Sequence, residues 1–171
     1  MADTAHPEPK LHKRAGGILS LSGPALLDFL RAVLDKHVPF RFTARGSSMF
    51  PFIKDSDVIT VSLRTASEIR FGDIVAFVNP CIERLAVHRV VGISKGAWLI
   101  KGDNTPEPDG WIPSVRILGC VTRVERGGRC IQLGLGVERI IIACLSRGGW
   151  LVSFLYPIRR IYHIIYVRFI A

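Results

Sequence analysis

Long hydrophobic runs are missing from this chain. The longest stretch without a charged residue, Ala15–Leu27, has 13 residues and contains Gly, Ser and Pro; the next, Gly148–Ile158, has 11. A helix that spans a bilayer needs about 18–20 consecutive apolar residues, so no transmembrane helix is expected. Paired cysteine spacing is missing too. The four cysteines stand at 81, 120, 130 and 144, with no CxxC pair and no histidine cluster nearby. A zinc site is therefore not expected, and neither a metal nor another cofactor is called for. Buried or half-buried thiols are the expected state, with a disulfide between any two left open. The opening "MADTAHPEPKLHKRAGG" lacks a secretory signal and reads as a polar, flexible leader over residues 1–21.

Acid is scarce at the other end. Residues 127–171 hold six arginines and a single acid, Glu138, within a formal net charge of +9 for the whole chain. Such a balance points to an anionic partner. The same stretch is strongly apolar, which arms that bind nucleic acid usually are not. A membrane surface met by residues 136–171 is therefore expected, and no nucleic acid. The expected location is peripheral on a membrane, with the cytoplasm as the second choice. With 171 residues and 49% of them apolar, the chain can bury a real core, enough for one domain with appendages.

Three zones and no internal repeat come after the leader. Residues 22–37 read as one helix, with Ser22 or Gly23 as its cap, Pro24 in its first turn, and Leu26, Leu27, Leu30, Val33 and Leu34 on one face. Residues 38–126 read as an antiparallel β body. The stretches "FRFTAR", "DVITVSL", "DIVAFVN", "LAVHRVVGI", "AWLIK" and "RILGCVTRVE" are short, rich in β-branched and aromatic residues, and separated by turn chemistry. No long helices intervene, which argues against βαβ units. Residues 127–171 read as a basic, apolar, helical tail broken at Gly148-Gly149 and at Pro157, with helical spacing at Ile158, Ile161, Tyr162 and Ile165.

One polar bend stands out. "FTARGSSMFPFI" sets Ser47 and Ser48 between alternating apolar residues and a proline. A serine becomes a nucleophile only with a base beside it. His88 lies inside the strand pattern "LAVHRVVGI", on the face it shares with Ala86, Val90 and Gly92. A carboxylate that accepts from imidazole would orient it, and Asp103 and Asp109 flank the loop "KGDNTPEPDG". Each signal is ordinary alone, since strand histidines and turn aspartates are usually structural.

Their order is more specific. "GSSMFPFI", "FGDIVAF", "VHRVVGI" and "IKGDNTPEPD", taken in sequence, resemble the type I signal peptidase family, and more narrowly its branch in archaea and the endoplasmic reticulum. The resemblance covers about residues 40–124. It implies a β fold of the kind shared with the self-cleaving SOS repressors. It implies a serine endopeptidase that acts through an acyl-enzyme and cuts after small residues in an extended peptide or precursor protein. The serine before methionine in the family motif falls on Ser48. The histidine of the Ser–His branch falls on His88, where the bacterial branch has lysine. The branch's aspartate six beyond that of its Lys-Gly-Asp motif falls on Asp109. Asp103 is the alternative orienting acid, and Ser47 a further candidate near the oxyanion. Three departures stand against the family pattern: no N-terminal membrane anchor is visible or expected in this sequence, Gly46 stands where some members carry a serine, and "KDSD" replaces a glycine-aspartate turn. Alternatives are a self-cleaving peptidase cutting at Ala15-Gly16, a protease dedicated to maturing one peptide, and a non-catalytic membrane-surface module.

Overall fold

Alternating apolar residues and Gly- or Asp-bearing turns give a chain built mainly of short strands. The computed structural model describes residues 12–13, 19–20 and 23–153. Strands β1 (His12–Lys13) and β2 (Leu19–Ser20) pair antiparallel. Helix α1 (Gly23–Leu34) comes next, then β3 (Phe40–Thr43), β4 (Val58–Ser62), β5 (Ile74–Asn79), β6 (Arg84–Ser94), β7 (Ala97–Lys101), β8 (Gly110–Pro113), β9 (Ile117–Arg126), β10 (Arg129–Ile131) and helix α2 (Arg139–Arg147). Eight strands form one antiparallel sheet in the order β3-β4-β9-β5-β6-β7-β8, with β10 also on β9. The sheet curls into a half-barrel. The leader up to Leu11, the Ala15-Gly16 pair and the stretch beyond Ser153, including Pro157 and Ile158–Ile165, lie outside the described residues.

Every strand expected from the sequence is present, and four more join them. β1 and β2 pair within the stretch expected to be a flexible leader. β8 was hidden because Gly110 and Pro113 bracket it as if they were turn residues, yet Ile112 packs into the core at 1% exposure opposite Trp98. β10 falls inside the stretch expected to be a helical tail. It closes a hairpin over Gly127-Gly128, both at positive φ (56° and 77°), the backbone that a two-residue turn demands and that glycine permits.

α1 ends three residues earlier than the His37 boundary expected. His37 takes a left-handed φ of 57°, and its N–H caps the Leu34 carbonyl. The helix lays Leu27, Leu30 and Leu34 on one face of the sheet, against Ile59, Val61 and Val121. The other face buries Val75, Phe77, Val90, Trp98 and Ile100. β5 supplies both clusters, which is why nearly all of "IVAFVN" is buried. α2 ends before Gly148-Gly149 as its sequence indicates, and its last turn is anchored on the sheet. The buried Lys101 ammonium donates to the Ser146 carbonyl at 2.6 Å, and Arg147 donates to the Val91 carbonyl at 3.3 Å. A cation at a helix C-terminus complements its dipole. No described helix is long and apolar enough to cross a membrane.

The "KDSD" stretch forms the turn that returns the chain to β4. Asp57 accepts from the Lys54 N–H and from a fork of Arg126, at 2.8 Å each. Its own carbonyl takes the Ala44 N–H at 2.7 Å, which ties the turn to the end of β3. Burial pushes the Asp57 carboxyl up, but Arg126 and the Lys54 N–H outweigh it and hold it below the ordinary carboxylate range. A depressed carboxyl stabilises the fold above its unfolded pKa and loses that contribution as pH falls through its folded one. Asp57→Asn should therefore be less stable than the parent near neutrality, with the gap closing in acid. Urea unfolding at pH 7 and pH 3 checks this; a gap that widens in acid contradicts it.

Candidate active site

Ser48 sits on a tight bend after β3. Gly46, at φ 91°, turns the chain and donates its N–H to Asp55 at 2.9 Å. The Phe50 N–H then closes on the Ser47 carbonyl, and those of Phe52 and Ile53 on the Met49 carbonyl, while the Met49 side chain is buried at 4% exposure. Met49 thus roots the bend in the core beneath α1 and leaves Ser48 half-buried at its crest. A second loop clamps the first. The Asn104 N–H donates to the Ser48 carbonyl at 2.7 Å and its side-chain amide to the Ser47 carbonyl at 3.0 Å. The approach is close enough to require glycine at 102, where a Cβ would stand 2.9 Å from the Ser48 carbonyl oxygen.

His88 projects from β6 toward this bend. Its Nε2 lies 2.9 Å from Ser48 Oγ, and its Nδ1 lies 2.7 Å from Asp109 Oδ2. A carboxylate only accepts, so Nδ1 carries the proton and Nε2 is free to accept from the hydroxyl. The imidazole edge rests against Phe77, ring centroids 5.8 Å apart. His88 and Asp109 are mostly buried, at 12% and 14% side-chain exposure. Asp109 is set by the N–H it donates to the Ile100 carbonyl, just before β8 begins. Its second oxygen accepts from the Asn79 amide at 2.9 Å, and the Cys81 N–H fixes that amide by donating to its oxygen. The run is continuous: Asn79, Asp109, His88, Ser48.

Asp103 is elsewhere. It is fully buried and forked by Arg89, with N···O distances of 2.7 to 3.1 Å. Burial pushes its carboxyl up, and Arg89 pulls against that. Arg89 also donates to the carbonyls of Gly72 and Gly134 at 2.9 Å each and lies over the Phe52 ring. Of the two aspartates the sequence left open, Asp109 contacts the imidazole and Asp103 organises the loops around it. Ser47 is exposed and enters through its carbonyl.

Two rival reactive groups are turned away. The Lys101 ammonium is engaged by the Ser146 carbonyl. The Cys120 thiol is pushed up to about 12 by burial, so it is not a thiolate near neutrality. Among the described residues, the Ser48 N–H has no acceptor, which leaves a donor for a negative oxygen held at Oγ.

Sequence reasoning missed Asn79, Arg89 and Asn104. Arg89 did leave a signal: an arginine inside the apolar strand "LAVHRVVGI" must find a buried partner, and the Asp of "KGDN" is one. Asn79 was masked by its turn context, Asn-Pro. A scan against family models finds no match to this chain, and a search of curated proteins finds no significant match.

Arg89→Ala would leave Asp103 buried and unpaired. It should lower the unfolding free energy by about 3–5 kcal/mol, measured by urea denaturation. A loss below about 1 kcal/mol contradicts the organising role assigned to this pair.

Proposed function

We propose that the protein is a serine endopeptidase resembling type I signal peptidase of the Ser–His branch, with Ser48 as nucleophile, His88 as base and Asp109 as the acid that orients it. The observation that carries this reading is the hydrogen-bonded run Ser48–His88–Asp109 opening on a cleft of about 490 Å³. As Ser48 Oγ bonds to the scissile carbonyl carbon, its proton passes to His88 Nε2. The carbonyl oxygen gathers negative charge beside the Ser48 N–H. The C–N bond then breaks, and the same proton leaves with the amine. Water repeats the sequence on the acyl-enzyme: His88 takes its proton, the acid product departs, and Ser48 recovers its hydrogen. Asp109 stabilises the imidazolium at each stage and stays ionised.

The substrate lies extended. At one side of the cleft β3 is, among the described residues, the last strand of the sheet, with an unpaired edge. At the other, residues 84–88 of β6 pair with β5 but extend beyond the pairing with β7. Both edges offer main-chain groups to a peptide that adds a strand. The family likeness adds small residues before the cut bond. A membrane surface as partner is supported by the basic, apolar C-terminal stretch and by the exposed Val137, Ile140, Ile141 and Trp150.

Ser48→Ala and His88→Ala should each lower kcat on a cleaved peptide by at least about a thousandfold, with the circular dichroism of the parent. Ser47→Ala should stay within a few-fold of it. Loss of activity in Ser47→Ala with Ser48→Ala active overturns the assignment.

A further inference from the structure

The cleft beside Ser48 has a charge pattern that the proposed chemistry does not use. Its walls are apolar, with Leu26, Phe42, Met49, Leu85 and Val87 among them. Its charged groups, apart from His88 and Asp109, are Arg45 and Arg84. Asp109 is already committed, one oxygen to His88 and the other to Asn79. Among the described residues, no carboxylate of the cleft therefore balances the two arginines. Arg84 is exposed and has no ion pair among the described residues. Arg45 is 79% exposed and reaches only within 4.0 Å of Asp55. That carboxylate already accepts from the Gly46 N–H and the Ser56 hydroxyl.

The two arginines are placed in register with the reacting groups. β3 and β6 are separated by four antiparallel pairings, through β4, β9 and β5, so they run in the same direction. Each runs toward the site: Arg45 precedes Ser48 by a short bend, and Arg84 precedes His88 along a strand. At about 3.3 Å per residue, Arg84 stands roughly 13 Å before His88. A peptide strand lying along the β6 edge, its cut bond at Ser48, passes Arg84 about four residues from that bond, while Arg45 lines the same cleft three residues before Ser48.

We propose that the substrate is an apolar, extended peptide segment bearing an acidic side chain about four residues from the cleaved bond, and that Arg84 receives that acid while Arg45 adds to the positive charge of the cleft. This rests on the endopeptidase reading and names its substrate class. Guanidinium groups suit a carboxylate by geometry as well as by charge, since two parallel N–H groups can meet its two oxygens. Both guanidinium groups are exposed, so the preference is modest and salt-sensitive. A basic side chain in the same place meets a like charge and is rejected.

The test separates binding from cleavage. Short fluorescein-labelled peptides of leucine, alanine and serine, each carrying one Glu, Gln or Lys at successive positions, are titrated against full-length Ser48→Ala protein by fluorescence anisotropy. Glu should bind about three- to tenfold more tightly than Lys at one position, and the preference should shrink as salt rises. In the triple variant carrying Arg45→Glu and Arg84→Glu as well, it should invert toward Lys. Equal binding at all positions, or a Glu preference that survives the charge reversal, overturns the proposal. Cleavage of the same peptides by the parent protein reads the endopeptidase proposal by itself: peptides bound with the stated preference yet never cut would sink the hydrolase and leave the acidic specificity standing.

Discussion

The architecture around Ser48 depends on the buried ion pair of Arg89 and Asp103. Two unpaired charges in a core would cost several kcal/mol each, so the chain can bury them only by bringing them together with good geometry. The guanidinium does more than face one carboxylate. It also gathers the carbonyls of Gly72 and Gly134, and so draws three loops onto the strand that carries His88. Once Asp103 is fixed, Asn104 is fixed beside it, and Asn104 grips both serine carbonyls. A few residues on, the loop returns through Asp109 to the imidazole. One pair thus sets both the Ser48 loop and the position of Asp109.

The curled sheet supplies the remaining geometry. Because strand order does not follow chain order, β3 and β6 face each other across the cleft although more than forty residues separate Phe40 from Arg84. Among the described residues, the half-barrel leaves the β3 edge and residues 84–88 of β6 without a further strand partner beside the cleft. α1 supports the same region from below, with Leu26 reaching the cleft and Leu30 buried under the bend. Packing, strand edges and hydrogen-bonded side chains therefore meet at one point.

Much of this was legible in the sequence, and the rest was not for definite reasons. The strands with strong β-branched content could be read, because their turns carry Gly, Asp and Pro. β8 could not, because its four residues look like turn chemistry until Ile112 is seen in the core. β10 was readable in principle from Gly127-Gly128, but the apolar, basic residues after it masked the hairpin as the start of a helical tail. Ser48, His88 and Asp109 were named from motif order, and the fold brings them within hydrogen-bond reach. Which aspartate meets the imidazole rested on family spacing alone. Only the three-dimensional pairing of Arg89 with Asp103 removes that second carboxylate from contention. Asn79 stayed invisible because its partner is thirty residues away and nothing local marks the contact.

The most direct measurement is covalent. A serine-directed acylating probe, followed by peptide mapping in a mass spectrometer, reports whether any hydroxyl of this chain is a nucleophile. An activated Ser48 predicts an adduct on that residue in the parent protein, none on Ser47, and none in His88→Ala protein that retains its fold. The absence of an adduct on Ser48, under conditions that label a known serine hydrolase, or an adduct that persists without His88, would contradict the proposed chemistry.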